Sequence, residues 1–358
     1  MSDIVPDYDQ SPPIGEDDVV SAAPGIDIWD AWPVQQRDGK PVTLPDGAEI
    51  WMALAAPHFP NPDERHGHAR IHLFRREDHG WHHLGPAMPD GFSPGSREWS
   101  GSAVHDPHDD SITLYFTAAG RRGEAETSFE QRMFSAKATL TPAGHCESWR
   151  DLKEVVAIDR LHYMPTTEGG AIGTIKAFRD PFYFRDPASG AHYLYFAGSQ
   201  AGSASAFNGV IGIATAAPDR PDDWRTQPPS LSADGLNNEL ERPHVVIHGG
   251  LYYLFWSTQR HVFDPAGPTG PTGLYGAVSE RPDGGWRMLN GSGLVFANPA
   301  SSPAQAYSWM VLPDLSVTSF IDNWGTGPDR RFGGCFAPFL HLALNQDRAL
   351  LENGRAKG

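Results

Sequence analysis

Cysteine is nearly absent: Cys146 and Cys335 are the only two in 358 residues. They lie far apart and match no metal-ligand spacing, which excludes a disulfide framework and a zinc module. They could bridge to each other or stay as free thiols. Long apolar runs are also missing, and none approaches a membrane span. The opening residues, MSDIVPDYDQSPPIGEDDVV, have neither a basic n-region nor an apolar h-region, so no cleavable signal peptide is expected. The expected address is then secretion by a non-classical route or the periplasm, with the cytoplasm also open. Positive charge is scarce: 28 Lys and Arg stand against 44 Asp and Glu, a net charge of −16. No basic run is long enough to track phosphates, so nucleic acid and anionic membrane are excluded as partners. A neutral substrate such as a sugar suits this balance. Helical periodicity is scarce as well, with only short candidates such as Ser128 to Arg132.

What the chain does have is many short β runs punctuated by Gly, Pro, Asp and Asn. Ile50 to Ala55, Ile71 to Arg75, Trp99 to Val104, Ile112 to Ala118 and Met133 to Leu140 read as strands. So do Phe182 to Phe184, Tyr193 to Ala197, Val210 to Thr215, Leu274 to Val278, Tyr307 to Leu312, Val317 to Ile321 and Phe336 to Leu342. This is an all-β signature. A weak repeat runs through it, in which a polar or aromatic handle leads into a strand, a tight turn and an apolar strand. The handles begin near Asp30, Ser100, Phe178, Glu241 and Tyr307, roughly every 60 to 80 residues. Roughly five such units fit a β-propeller, whose innermost strands bring their handles to a central funnel. A β-sandwich is the alternative, but it does not make handles converge. The propeller is expected over residues 26–345, after an N-terminal arm (1–25) laid on the surface or disordered, and before a C-terminal tail (346–358).

The stretch Leu236 to Trp256 holds the densest chemistry. Glu239 and Glu241 lie two apart before the strand Val245-Val246-Ile247, and on a strand such residues share a face. If the handles converge, the pocket collects Asp30, Asp180, Glu239 and Glu241. Arg179 and Arg242 stand around them, with Trp29, Trp99 and Tyr307 as aromatic walls. Carboxylates and Arg bond sugar hydroxyls, while aromatic faces cover the ring C–H groups. Crowded carboxylates also raise one another's pKa, which can hold one as a general acid beside an ionised nucleophile. Retaining glycosidases use such a pair about 5 Å apart. Calcium could also use grouped carboxylates, but these are scattered along the chain with no loop of calcium-binding spacing. No metal and no cofactor is expected.

At these residues the sequence resembles glycoside hydrolase family 68: the levansucrases, inulosucrases and β-fructofuranosidases that act on sucrose. The matching motifs are Ile28-Trp29-Asp30-Ala31-Trp32-Pro33, Glu98-Trp99-Ser100-Gly101-Ser102, Phe178-Arg179-Asp180-Pro181 and Glu239-Leu240-Glu241-Arg242-Pro243. Gly273-Leu274-Tyr275-Gly276, Leu289 to Leu294, Ala306-Tyr307-Ser308 and Phe332-Gly333-Gly334 follow in the family's order. The resemblance implies a five-bladed propeller and a double displacement on sucrose, with Asp30 the nucleophile that takes the fructosyl group as an ester. It makes Glu241 the acid/base and Asp180 the stabiliser of the oxocarbenium-like transition state. Trp29, Trp99, Ser100 and Arg179 would line the fructosyl subsite, while Arg179, Glu239 and Tyr307 would reach the glucosyl side or brace the acids. Arg242 is counted among the substrate contacts. Sucrose and sugar acceptors are the implied partners, and oligomeric state stays open.

Two positions depart from the family pattern. Past the hairpin strand Tyr253-Leu254-Phe255 the family usually carries Arg or His at the acceptor side; here Gln259 stands there, followed by Arg260 and His261. After Tyr193-Leu194-Tyr195-Phe196 it commonly carries Glu, and here Ala197 stands there. A cation and an anion lost together suggest a rebuilt acceptor side, so water or a short sugar is the expected acceptor. The Gly/Pro-rich loop Asp264 to Gly273 is either a surface connection or part of that rim. Rival readings are a polymer-forming levansucrase or inulosucrase, an arabinan- or fructan-cleaving hydrolase, a non-catalytic carbohydrate-binding propeller and a protein-interaction platform.

Overall fold

In the computed structural model, residues 8–165, 175–325 and 330–352 are described. They form five propeller blades of antiparallel strands, hydrogen-bonded into four sheets. The first blade is β1 (Ile26–Gln35), β2 (Glu49–Pro57), β3 (Arg70–Glu77) and β4 (Gly80–Pro86). The second is β5 (Arg97–Asp106), β6 (Ser111–Ala119), β7 (Gln131–Leu140) and β8 (Cys146–Val156). A short parallel pairing of Val34 and Gln35 with Ala103 and Val104 joins these two into one eight-stranded sheet. The third blade holds β9 (Phe178–Arg185), β10 (His192–Ser199), β11 (Gly209–Ala217) and β12 (Arg220–Ser232). The fourth holds β13 (Glu241–His248), β14 (Leu251–Thr258), β15 (Gly273–Ser279), β16 (Arg287–Met288) and β17 (Leu294–Ala297). The fifth holds β18 (Ala306–Val311), β19 (Ser316–Trp324), β20 (Arg331–Phe336), β21 (Leu340–Asn345) and β22 (Arg348–Leu351).

Two expected elements differ. Ser128 to Arg132 is not helical; Gln131 already opens β7. The run from Phe336 to Leu342 is two strands, because Pro338 can donate no ladder hydrogen bond and the chain breaks there. β20 and β21 therefore share the edge of β19, pairing with its end and its start respectively. β22 lies within the segment read as a tail, so the last blade runs past residue 345. At the other end, the arm crosses blades four and five. Ser11 N donates to Ala297 O at 2.8 Å, Leu351 N donates to Asp9 Oδ2 at 2.8 Å, and the Gln305 amide reaches Pro12 O at 2.8 Å.

Each blade buries both faces between its neighbours, which is why the inner strands are rich in Ala, Val, Ile, Leu and aromatics. Trp32, Trp51, Trp309, Phe116 and Phe255 are among the largest side chains sealed in this way. Both cysteines are buried and free.

The innermost strands β1, β5, β9, β13 and β18 share one irregularity. Each carries one residue more than its partner strand at the same level, a β-bulge that bends the strand and re-aims its side chains. The register breaks after Trp29, Trp99, Arg179, Glu241 and Tyr307. In four of the five the next residue takes a left-handed backbone: Asp30 (φ 50°), Asp180 (φ 62°), Arg242 (φ 50°) and Ser308 (φ 59°). A non-glycine residue there costs on the order of 1–2 kcal/mol, so the surrounding packing enforces it.

Candidate active site

The five bulges define two tiers around the axis. The residue before each break (Trp29, Trp99, Arg179, Glu241, Tyr307) forms the upper tier, and all five line one cavity of about 300 Å3. The residue after it (Asp30, Ser100, Asp180, Arg242, Ser308) forms the lower tier, of which Asp30, Ser100 and Asp180 also reach the cavity. Glu239 and Gln259 complete the wall on the side of blade four. The bulge therefore does what a regular strand cannot: in blades one to three it turns two consecutive side chains into the cavity.

Arg242 is the exception among the residues expected to touch substrate. Its side chain runs beneath the cavity, donating to Ala31 O and Ser308 Oγ at 3.0 Å each, with the guanidinium 5.5 Å from the Trp32 ring. A buried cation bonded on two sides is a brace, and the left-handed turn at its own backbone sends it there. Glu239 corrects a second detail. It precedes β13 instead of sharing its face with Glu241, and it is held by its backbone N–H, which donates to Asn237 Oδ1 at 2.7 Å.

The acids are connected, not merely close. Ser100 Oγ donates to Asp30 Oδ2 at 2.6 Å. Arg179 Nη2 donates to Glu241 Oε1 at 2.7 Å and lies 3.8 Å from Glu239 Oε1, while its Nε is 3.8 Å from Asp180 Oδ2. Tyr307 OH donates to the other oxygen of Glu241. Asp180 is fixed through its backbone N–H, which donates to Thr117 Oγ1 at 2.9 Å, and its Oδ2 accepts from the Arg242 N–H at 3.4 Å. Burial pushes the Asp180 carboxyl up to about 7; Arg179 opposes this, while Glu241 and Asp30 add to it. Burial, with Glu241 beside it, also raises Glu239. Arg179 is raised despite its burial because Glu241, Glu239 and Asp180 surround it. Burial pushes the Tyr307 phenol upward, and Glu241 adds to that, so it stays a hydrogen-bond donor.

On the acceptor side, Gln259 is in the wall, while Arg260 and His261 are exposed in the short turn Arg260–Val262 that follows. Ala197 is the register partner of Arg179, so the family's Glu would stand directly across from the guanidinium. No residue of the Gly/Pro-rich loop lines the cavity. Sequence reasoning missed a group on the opposite wall. Arg65 and His66, from the 3-10 helix Pro62–Gly67, and Asp322 and Asn323, from β19, all face the cavity. The charged run Asp63-Glu64-Arg65-His66 and the polar end of an otherwise apolar strand were the available signals.

A buried guanidinium tied to two carboxylates, a hydroxyl on a third and aromatic walls around them make a site for a neutral polyol. The family model described as Levansucrase/Invertase matches residues 6–208 and 200–358. The chain belongs to glycoside hydrolase family 68. It is 33% identical to the levansucrase of Rahnella aquatilis over 95% of this chain and 89% of that protein. Among solved structures it is similar to the inulosucrase from Halalkalicoccus jeotgali bound to kestose, with TM-score 0.87 and 36% identity over 98% of this chain and 92% of that one. It is also similar to the catalytic domain of the β-fructofuranosidase of Microbacterium saccharophilum K-1, with TM-score 0.85 and 25% identity over 97% and 85% of the two chains.

Proposed function

We propose that this family 68 protein is a retaining, sucrose-cleaving fructosyltransferase and β-fructofuranosidase that passes fructose to water or short sugars. The observation that carries this reading is the convergence of Asp30, Asp180 and Glu241 on one cavity, each with a distinct partner. Asp30 attacks the anomeric carbon of the fructosyl unit, and Ser100 orients the attacking carboxylate. As the bond from that carbon to the glucosyl oxygen breaks, Glu241 gives its proton to the departing oxygen. A fructosyl ester on Asp30 results, and positive charge at the ring in the transition state is met by ionised Asp180. In the second step Glu241 takes a proton from water or a sugar hydroxyl, whose oxygen displaces Asp30.

Arg179 and Tyr307 hold the two oxygens of Glu241 and leave its proton directed at the substrate. Glu239 and Gln259 form the acceptor wall. With an uncharged amide at Gln259 and Ala197 across from Arg179, this wall lacks the ion pair that would grip a growing chain. That supports hydrolysis and short transfer over polymer synthesis.

The test is glucose release from sucrose, followed by sizing of products at high sucrose. Wild type should release glucose, Asp30→Asn should release none, and Glu241→Gln should fall by roughly 10²–10⁴-fold in kcat. No release by wild type overturns the reading; abundant high-mass fructan overturns the choice of acceptor and restores the polymer-forming alternative.

A further inference from the structure

The wall opposite the acceptor side holds two polar groups that the reaction as described does not use. Arg65 is 7% exposed, and its guanidinium lies 4.1 Å from the Phe332 ring and 5.5 Å from the Trp29 ring. Its Nη1 donates to Pro62 O at 2.7 Å, and Asp63 is 3.7 Å away. The Nε, however, has no acceptor among the described residues. Asp322 faces the same cavity from β19. Its backbone N–H donates to Gln305 O at 2.9 Å, but no donor among the described residues bonds its carboxylate. Burial pushes that carboxyl up to about 6, with Arg65 opposing and Asp63 and Asp30 adding.

The cavity wall thus offers a buried guanidinium, Arg65, and Asp322, a carboxylate without a donor among the described residues; a group that bonds both completes it. A hydroxyl is the neutral group that accepts from one partner and donates to the other. An anion would meet Asp322, Asp63 and Asp30 together, and a cation would meet Arg65. The location fits as well. Arg65 packs on Trp29, the residue before Asp30, and on Phe332, whereas Glu241 is held by Arg179 and Tyr307. The Arg65–Asp322 wall and the Glu241 end of the cavity are therefore built by different sets of neighbours.

We propose that Arg65 and Asp322 bind a hydroxyl of the fructosyl unit at the end remote from the bond that breaks, and so select the donor. Asp322 accepts from that hydroxyl, Arg65 donates to its oxygen, and Trp29, packed against Arg65, carries the ring between them. The inference rests on the proposed sucrose chemistry and adds a specificity-determining pair to it.

The experiment compares kcat/KM for sucrose with kcat/KM for sucrose analogues that each lack one fructosyl hydroxyl. Wild type should lose about tenfold or more on one analogue, the equivalent of one hydrogen bond to a charged group. In Asp322→Ala, sucrose itself should fall to about the level of that analogue, and the two should then differ by less than about threefold. Asp322→Asn keeps an acceptor and should retain part of the discrimination, which a purely structural role would not produce. If Asp322→Ala preserves the wild-type discrimination against every analogue, or wild type discriminates against none, the inference is overturned while sucrose cleavage stands. Wild type that releases no glucose from sucrose removes both.

Discussion

Arg179 and Glu241, neighbouring members of the upper tier, are joined by a 2.7 Å hydrogen bond from a buried guanidinium to the carboxylate proposed as the acid/base. Arg242, one residue beyond Glu241, is equally buried but points beneath the cavity. Two adjacent motifs thus supply one arginine to the cavity wall and one to the scaffold beneath it. Arg179→Lys keeps the charge and loses the fork that reaches Glu241, Glu239 and Asp180. Its kcat should fall by 100-fold or more, at an order of about 3 kcal/mol in transition-state stabilisation. Arg242→Met should instead cost stability, on the order of 3 kcal/mol, with KM for sucrose changed less than in Arg179→Lys. Steady-state kinetics and chemical denaturation of both variants separate the two roles.

Tyr307 donates to the Glu241 oxygen that Arg179 leaves open. Tyr307→Phe removes that bond without changing the ring that walls the cavity. We expect a fall of about 10-fold in kcat, one charge-assisted hydrogen bond, with little change in thermal stability. An unchanged kcat would mean that Arg179 alone orients the carboxyl.

The Asp180 carboxyl is raised by burial from 3.8 to about 7. Between those values the folded protein holds a proton that the unfolded chain has released. Stability contributed by this group is therefore lost as pH rises from about 4 to about 7. Activity should move the other way, because only ionised Asp180 can face developing positive charge: kcat/KM should rise as pH rises through about 7. Asp180→Asn removes both effects. Its melting temperature relative to wild type should climb over that interval, which thermal denaturation across the pH series measures.

Gly101 follows Ser100 at the bulge of β5, where a Cβ would lie 1.8 Å from Tyr115 O and 2.8 Å from the Phe116 Cα. Both are backbone atoms of the paired strand and cannot step aside. Gly101→Ala should cost at least about 3 kcal/mol and also lower kcat, because the strand can relieve the clash only by moving Ser100 away from Asp30. Denaturation midpoints and kcat measured together check this.

Much of this was legible from residue order. The apolar second and third strands, such as Tyr193 to Ala197 and Leu274 to Val278, are buried on both faces and announce themselves. The outermost strands do not: β8, Cys146–Val156, is exposed along most of its length and reads as a charged loop. The handles identified the upper tier because aromatic and charged residues before an apolar run are conspicuous. Arg242 was expected in the pocket because it adjoins Glu241, but the left-handed turn at the bulge sends its side chain beneath the cavity. Arg65 and Asp322 were missed because they come from a connection in blade one and the far end of a strand in blade five. Nothing local in either segment marks it as facing the other.

The repeated bulge also bears on how such a site can change. The distance between any two reacting groups is fixed by the rotation from one blade to the next, not by the loop that carries either of them. Trp29 and Glu241 hold equivalent addresses, as do Asp30 and Arg242, so wall, acid, nucleophile and brace are different residents of the same backbone niche. A change of occupant at one address alters what the cavity does while the other addresses keep their spacing. A propeller built this way separates the choice of chemistry from the task of aligning it.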